Sequence, residues 1–159
     1  MNKKKGFTII EVSLVLAIAG LIMLLVFIAL PGLQRSQRDS RRKDDIMKLA
    51  DSIKKYQSNN NRGNLPEDAT ELKNNVVIPF IGGSFTDPDG DEYEYIGGEC
   101  PNTVTTGNKC AEAADRPTIV YTTGASCGDN HEAIKVANKR KATLIYKLES
   151  GESGWCYEL

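Results

Sequence analysis

FTIIEVSLVLAIAGLIMLLVFIAL, residues 7–30, carries one charge, Glu11, in 24 positions. At 1.5 Å per residue this stretch makes about 36 Å of helix, enough to cross the hydrocarbon core of a bilayer with some tilt. It is preceded by Lys3, Lys4 and Lys5, which the positive-inside rule keeps on the cytoplasmic side, so that everything after Leu30 lies outside. The basic residues on the other flank, Arg35, Arg38, Arg41, Arg42 and Lys43, are interleaved with Asp39, Asp44 and Asp45. A secretory signal would have a shorter apolar core and an A-x-A-like site, and the end of this segment, FIALPGLQ, has no such match and no cysteine for a lipid. Glu11 is the anomaly: a carboxylate near the start of an apolar helix costs a few kcal/mol in lipid and calls for a cationic partner.

The short basic leader ending in Gly6, followed by Phe7-Thr8 and by Glu11 as the fifth residue after that glycine, resembles the signal of type IV pilins and related pseudopilins. The resemblance implies cleavage between Gly6 and Phe7 by a membrane prepilin peptidase and methylation of the new Phe7 amine. It also implies that Glu11 meets the Phe7 ammonium of a neighbouring subunit during assembly. Such a pairing is physically reasonable, because each charge is expensive in an apolar bundle alone and tolerable when matched. Gly20 occupies a place where a small residue allows close helix packing. Pro31 and Gly32 are the expected helix break, since proline removes a helix hydrogen bond and glycine adds backbone freedom.

Beyond Gly32, Ile46, Leu49, Ala50, Ile53 and Tyr56 fall on one helical face, with Lys48, Asp51, Lys54 and Lys55 around the others. This predicts an amphipathic stem whose apolar stripe packs on a sheet, ended by the Asn/Gly/Pro-rich run from Ser58 to Pro66. Residues 67–92 read as a connecting segment, with VVIPFI interrupted by Pro79. Asp87-Pro88-Asp89-Gly90 is a turn signal, and it resembles the turn that leads into the sheet of many pilins. Tyr93, Tyr95 and Ile96 suggest a first strand, followed by Thr118–Thr122, Ala142–Leu148 and Gly154–Glu158, the last two forming a hairpin around Glu149–Ser153. Residues 124–140 read as an exposed loop, and Trp155 as a core aromatic in preference to an exposed contact. The expected fold is α+β, a long N-terminal helix packed on a small antiparallel sheet and stapled by a disulfide at the C-terminus. It divides into a leader (1–6), a transmembrane and assembly helix (7–31), a stem (32–60) and a globular head (61–159).

Residues 1–56 carry eleven Lys/Arg against five Asp/Glu, and residues 57–159 nine against sixteen. A basic stem and an acidic head suit charge matching between copies, or are simply two solvated surfaces of opposite sign. Cys100, Cys110, Cys127 and Cys156 all lie beyond the apolar segment, as disulfides in an oxidising compartment would. No Cys-x-x-Cys pair supports zinc, and His131 is the only histidine. Of the three possible connectivities the preferred one is Cys100–Cys110 with Cys127–Cys156, closing a short Pro/Asn/Gly loop and tying the last strand to the body.

Asp87, Asp89 and Asp91 alternate, so they can converge on a hard cation such as calcium, although the spacing is not that of an EF-hand and a solvated acidic turn is the favoured reading. No other cofactor is expected. No nucleophile motif accompanies His131, so an enzyme is not expected. Lys135, Lys139, Arg140 and Lys141 form a basic run, but an acidic head opposes DNA and no aromatic residues interleave it. The pilin resemblance implies a filament subunit serving adhesion, twitching motility or DNA uptake. Its implied partners are other pilin copies, prepilin peptidase, an assembly platform with a separate ATPase, the membrane before assembly, and a host or abiotic surface. A pseudopilin of a secretion or competence system is the alternative, and a membrane-anchored extracellular binding module the alternative of another class.

Overall fold

A computed structural model of the chain describes residues 6–59, 63–82, 85–98, 100, 109–136, 138, 140–151 and 154–159. Lys3–Lys5 of the leader, part of the stem-ending run at 60–62, Lys139, and residues 152–153 of the expected hairpin turn lie outside the described residues. The chain divides into two compact units, Met1–Gln37 and Arg38–Leu159.

Helix α1 runs Ile9–Asn59. In the first unit its side chains are exposed throughout, from Ile9 at 88% to Leu30 at 42%. The break expected at Pro31 and Gly32 is absent, because α1 continues through both. The proline loses its own N–H bond and crowds the carbonyl four residues before it, a cost of about 3 kcal/mol, and the flanking Leu, Gln and Arg residues are good helix formers that carry the helix through.

In the second unit Ile46, Leu49, Ala50 and Ile53 of α1 are buried to 1% exposure or less. Each such aliphatic side chain contributes about 1.5–3 kcal/mol on burial. Their counterpart is a four-stranded sheet built from β1 (Glu94–Gly97), β3 (Thr118–Thr123), β6 (Ala142–Lys147) and β7 (Gly154–Glu158) in the order β1-β3-β6-β7. Ile119, Tyr121, Leu144 and Tyr146 point from this sheet into the α1 core, and the partly buried Trp155 and Tyr157 pack at its margin. Lys43 and Lys54 lie over the Trp155 and Tyr157 rings, each 5.8 Å from the centroid.

The sheet is not wholly antiparallel: β1 pairs with β3 in parallel, Glu94 opposite Thr118, while β3–β6 and β6–β7 are antiparallel. Nor are residues 124–140 a plain loop. They hold β4 (Ala125–Cys127) and β5 (Ala133–Lys135), which join β2 (Lys109–Ala111) in a second, three-stranded sheet ordered β2-β5-β4. Gly124, at φ +67°, makes the corner between the sheets, its N–H donating to Lys141 O at 2.7 Å and its carbonyl accepting from Val136 N at 2.9 Å. Only glycine adopts that conformation without strain. The second sheet covers the far face of the first, where Val120 and Ile145 pack with Ala125 and Ala133. Cys127 pairs with Cys156 and Cys100 with Cys110, so one bond joins the two sheets and the other closes a ten-residue step.

The segment read as a connector is largely helical. Asp68 caps α2 (Ala69–Leu72) by accepting from Glu71 N at 2.7 Å, and Glu71 reaches back to Glu67 N, also at 2.7 Å. A π-helical run, Lys73–Ile81, follows and contains Pro79. Burial of Leu72, Val76 and Val77 against the α1 core outweighs the proline's preference for extended chain.

Candidate functional site

Each unit contains a distinctive set of polar side chains. In the first, Thr8 and Glu11 close the start of α1 on each other. Thr8 N donates to Glu11 Oε2 at 2.8 Å, Thr8 Oγ1 donates to the same oxygen at 2.9 Å, and Glu11 N donates to Thr8 Oγ1 at 3.3 Å. This is a capping box, which satisfies orphan N–H groups of the first turn and places a negative charge at the positive end of the helix. Thr8 and Glu11 are thus fixed by backbone geometry, while Phe7 stands 90% exposed just before them. Phe7, Glu11, Val12, Leu14, Val15 and Leu16 line a shallow groove of about 510 Å³ in which Glu11 is the one charge.

Residues 1–27 match the family model described as the prokaryotic N-terminal methylation motif. The chain carries the type IV prepilin signature. The matched span includes Gly6, Phe7 and Glu11, and the methylation motif continues into the only described helix long and apolar enough to cross a membrane. The motif and this helix fit a membrane-anchored precursor of a pilin-like or pseudopilin protein. No curated protein and no solved structure matches the chain.

The second set lies in the Arg38–Leu159 unit and gathers residues far apart in sequence. Arg42, with no exposed surface, donates from Nε and Nη2 to the two oxygens of Asp87, both at 2.8 Å. Its Nη1 also reaches Asp39 at 3.0 Å and Glu149 at 2.5 Å, and Nη2 reaches Asp89 at 2.6 Å. Asp39 in turn accepts from the backbone N–H of Glu149 and Ser150, each at 2.9 Å. Arg38 forks onto Glu149 at 2.6 and 2.7 Å, and Arg116 approaches Asp89 and Glu149 at 3.3 and 3.1 Å. Tyr146 donates to Asp87 at 2.5 Å and Tyr93 to Asp45 at 3.2 Å. Buried charges are tolerable when matched this completely, with planar guanidinium forks on carboxylates.

This arrangement corrects the reading of the 87–91 turn as a solvated one: Asp87 is 3% exposed, and Asp87 and Asp89 both accept from the guanidinium of Arg42. Asp91 is exposed and stands outside the cluster, its carbonyl accepting from Asp87 N at 2.8 Å. Among the described residues no group of three or more His, Cys, Asp or Glu side chains is arranged to hold a metal. Sequence reasoning missed Arg42, Asp39 and Glu149, yet a signal existed: Asp39 and Arg42 continue, at helical spacing, the stripe of Ile46, Leu49 and Ile53.

Burial works to raise the Asp87 carboxyl, but hydrogen bonds from Arg42 and Tyr146 outweigh it and hold it at about 2. The Arg38 hydrogen bond, opposed by burial and helped by Arg42, likewise holds Glu149 at about 2. Both values lie below those of free carboxyls, so the stabilisation is fully present above the unfolded values and is lost as pH falls through the folded ones. The melting temperature of the Arg38–Leu159 unit, followed by circular dichroism, is therefore expected to hold steady down to about pH 5 and to fall steeply between about pH 4.5 and 2. In an Asp87→Asn variant the fall over that interval is shallower and the neutral-pH melting temperature is lower.

Proposed function

We propose that the chain is the structural subunit of a type IV pilus-like filament. The observation that carries this reading is the methylation motif at residues 1–27, joined to an apolar helix that nothing in the described chain covers. A soluble protein does not leave more than twenty consecutive, mostly apolar helical residues bare, so the helix is covered first by lipid and then by identical helices. In this reading prepilin peptidase cuts between Gly6 and Phe7 on the cytoplasmic side, the Phe7 amine is methylated, and an assembly platform with its ATPase draws subunits from the membrane. Glu11 of each incoming subunit then meets the Phe7 ammonium of a neighbour, which matches both buried charges and sets the axial stagger. The head stands outside the membrane, where oxidation of the two cysteine pairs is favoured. Adhesion, twitching motility and DNA uptake are the tasks such a filament serves.

The test is intact-mass and N-terminal peptide analysis of non-reduced protein from cells that also make the processing machinery. The expected chain begins at N-methylated Phe7 and has all four cysteines oxidised. A chain that keeps Met1, or one cut after Leu30, overturns the reading.

A further inference from the structure

Strand β1 forms one edge of the four-stranded sheet, and among the described residues its outer side is only partly occupied. Glu94 N and Gly98 N donate to Pro117 O and Tyr121 O at 3.3 and 2.7 Å, so residues 94, 96 and 98 turn their backbone groups toward β3. By the alternation of a strand, residues 93, 95 and 97 turn theirs outward. Residue 93 is covered, since Tyr93 N donates to Phe85 O at 3.4 Å next to an antiparallel bridge between Thr86 and Glu92. Among the described residues that pairing goes no further, and the outward groups of Tyr95 and Gly97 lie along a cleft of about 680 Å³ walled on the other side by Ala69, Thr70 and Lys73. Tyr95 lines the cleft, and its buried hydroxyl has no hydrogen-bond partner. The rim is acidic: Asp91, Glu92 and Glu94 are exposed, and only Lys73 opposes them among the lining residues. Glu92, Glu94 and the half-exposed Ile96 follow each other at the two-residue period of one strand face.

We propose that this cleft docks an extended, lysine- or arginine-bearing segment of another protein, taken up as an added strand beside β1. Backbone pairing with Tyr95 and Gly97 supplies the register, a cationic side chain beside Glu94 meets its carboxylate, and another at the end of the added strand reaches diagonally to Glu92, whose own lateral place is held by Thr86. A second copy of this chain is a poor source of that segment. Of the described head cations, Lys109, Arg116, Lys141 and Lys147 are each already paired with a carboxylate of their own head, Lys135 already lies in β5, Lys73 is on the helical run beside the cleft, and Arg140 stands in a turn that Lys141 N closes on Asn138 O at 3.2 Å. The cations of the stem lie on a helix, which cannot add to a sheet edge. The proposal rests on the Arg38–Leu159 unit alone and stands whether or not the filament reading does.

The test uses the full chain in detergent micelles at physiological salt, with labelled peptides of about eight residues that alternate lysine with valine or threonine. Fluorescence anisotropy is expected to show saturable binding. A glutamate-for-lysine peptide, and a peptide that keeps its lysines but is N-methylated at alternate backbone nitrogens, should each bind at least tenfold more weakly. The Glu92→Lys/Glu94→Lys variant, altered only at exposed positions, should lose the same factor. Absence of binding overturns the proposal, and so does equal binding of the N-methylated peptide, which would reduce the cleft to a diffuse acidic surface. Loss of self-association in the double variant, by light scattering, would assign the edge to contacts between copies and overturn it as well.

Discussion

An Arg42→Met variant is expected to lose about 3–5 kcal/mol of stability in the Arg38–Leu159 unit and to melt roughly 10–20 °C lower than the parent chain. The size of the effect comes from what is left behind. Arg42 makes five hydrogen bonds to four carboxylates, and two of those, on Asp39 and Asp87, are themselves buried. Removing the guanidinium leaves Asp39 to the backbone N–H groups of Glu149 and Ser150 and Asp87 to the Tyr146 hydroxyl, neutral donors that compensate in part, while Arg38 and Arg116 serve Asp89 and Glu149. Methionine keeps most of the volume, so the loss is electrostatic and not a cavity. Arg42→Lys recovers less than half of it, because one ammonium cannot reproduce the bidentate fork on Asp87 while also reaching Asp39, Asp89 and Glu149. Urea denaturation with unchanged slope, read alongside the melting curves, checks that stability and not compactness has changed. A loss below about 1 kcal/mol, the value of an ordinary surface ion pair, would mean that water reaches the cluster.

If the chain builds the proposed filament, Glu11→Gln is expected to abolish it, with assembled material by shearing and electron microscopy reduced at least tenfold, while cleavage between Gly6 and Phe7 continues. The glutamine variant is informative because a capping box accepts glutamine as well as glutamate, so the start of α1 keeps its Thr8 contacts and loses only the charge. If the carboxylate serves merely to cap, the variant assembles normally. If it neutralises a neighbour's Phe7 ammonium, the variant leaves that cation unmatched among apolar helices, a cost of several kcal/mol per subunit repeated along the filament. Glu11→Ala removes both roles and should add fraying of the first turn, visible as faster amide exchange, to the same loss of assembly.

What was legible in the sequence is what depends on neighbours along the chain. The methylation motif is local, and so is the 3.6-residue period that placed Ile46, Leu49, Ala50 and Ile53 on the buried face. Strands β3, β6 and β7 showed themselves as runs of β-branched and aromatic residues between turn signals. The second sheet did not, because β2, β4 and β5 are three residues each and are held by pairing with distant partners more than by composition. The helical run through Pro79 was hidden by the proline, although Asp68 and Glu71 stand at the spacing of a helix start. The charged cluster was the largest omission. Asp39 and Arg42 read as solvated by default, and only the positions of Asp87 and Glu149, set by the folded chain, turn them into core residues.

The cluster also bears on time. Arg42 meets Asp87, Asp89 and Glu149 across separations of 45, 47 and 107 residues, so its bonds close only after the 87–91 turn and the segment after β6 have both reached α1. Contacts with such long chain closures are expected to form past the rate-limiting barrier, where an interaction slows unfolding without speeding folding, and Arg42→Met is then expected to speed unfolding and leave the folding rate nearly unchanged in stopped-flow kinetics. On that expectation the buried arginine governs the half-life of a finished head more than the speed at which a new one is made, so that its loss shows first as faster inactivation.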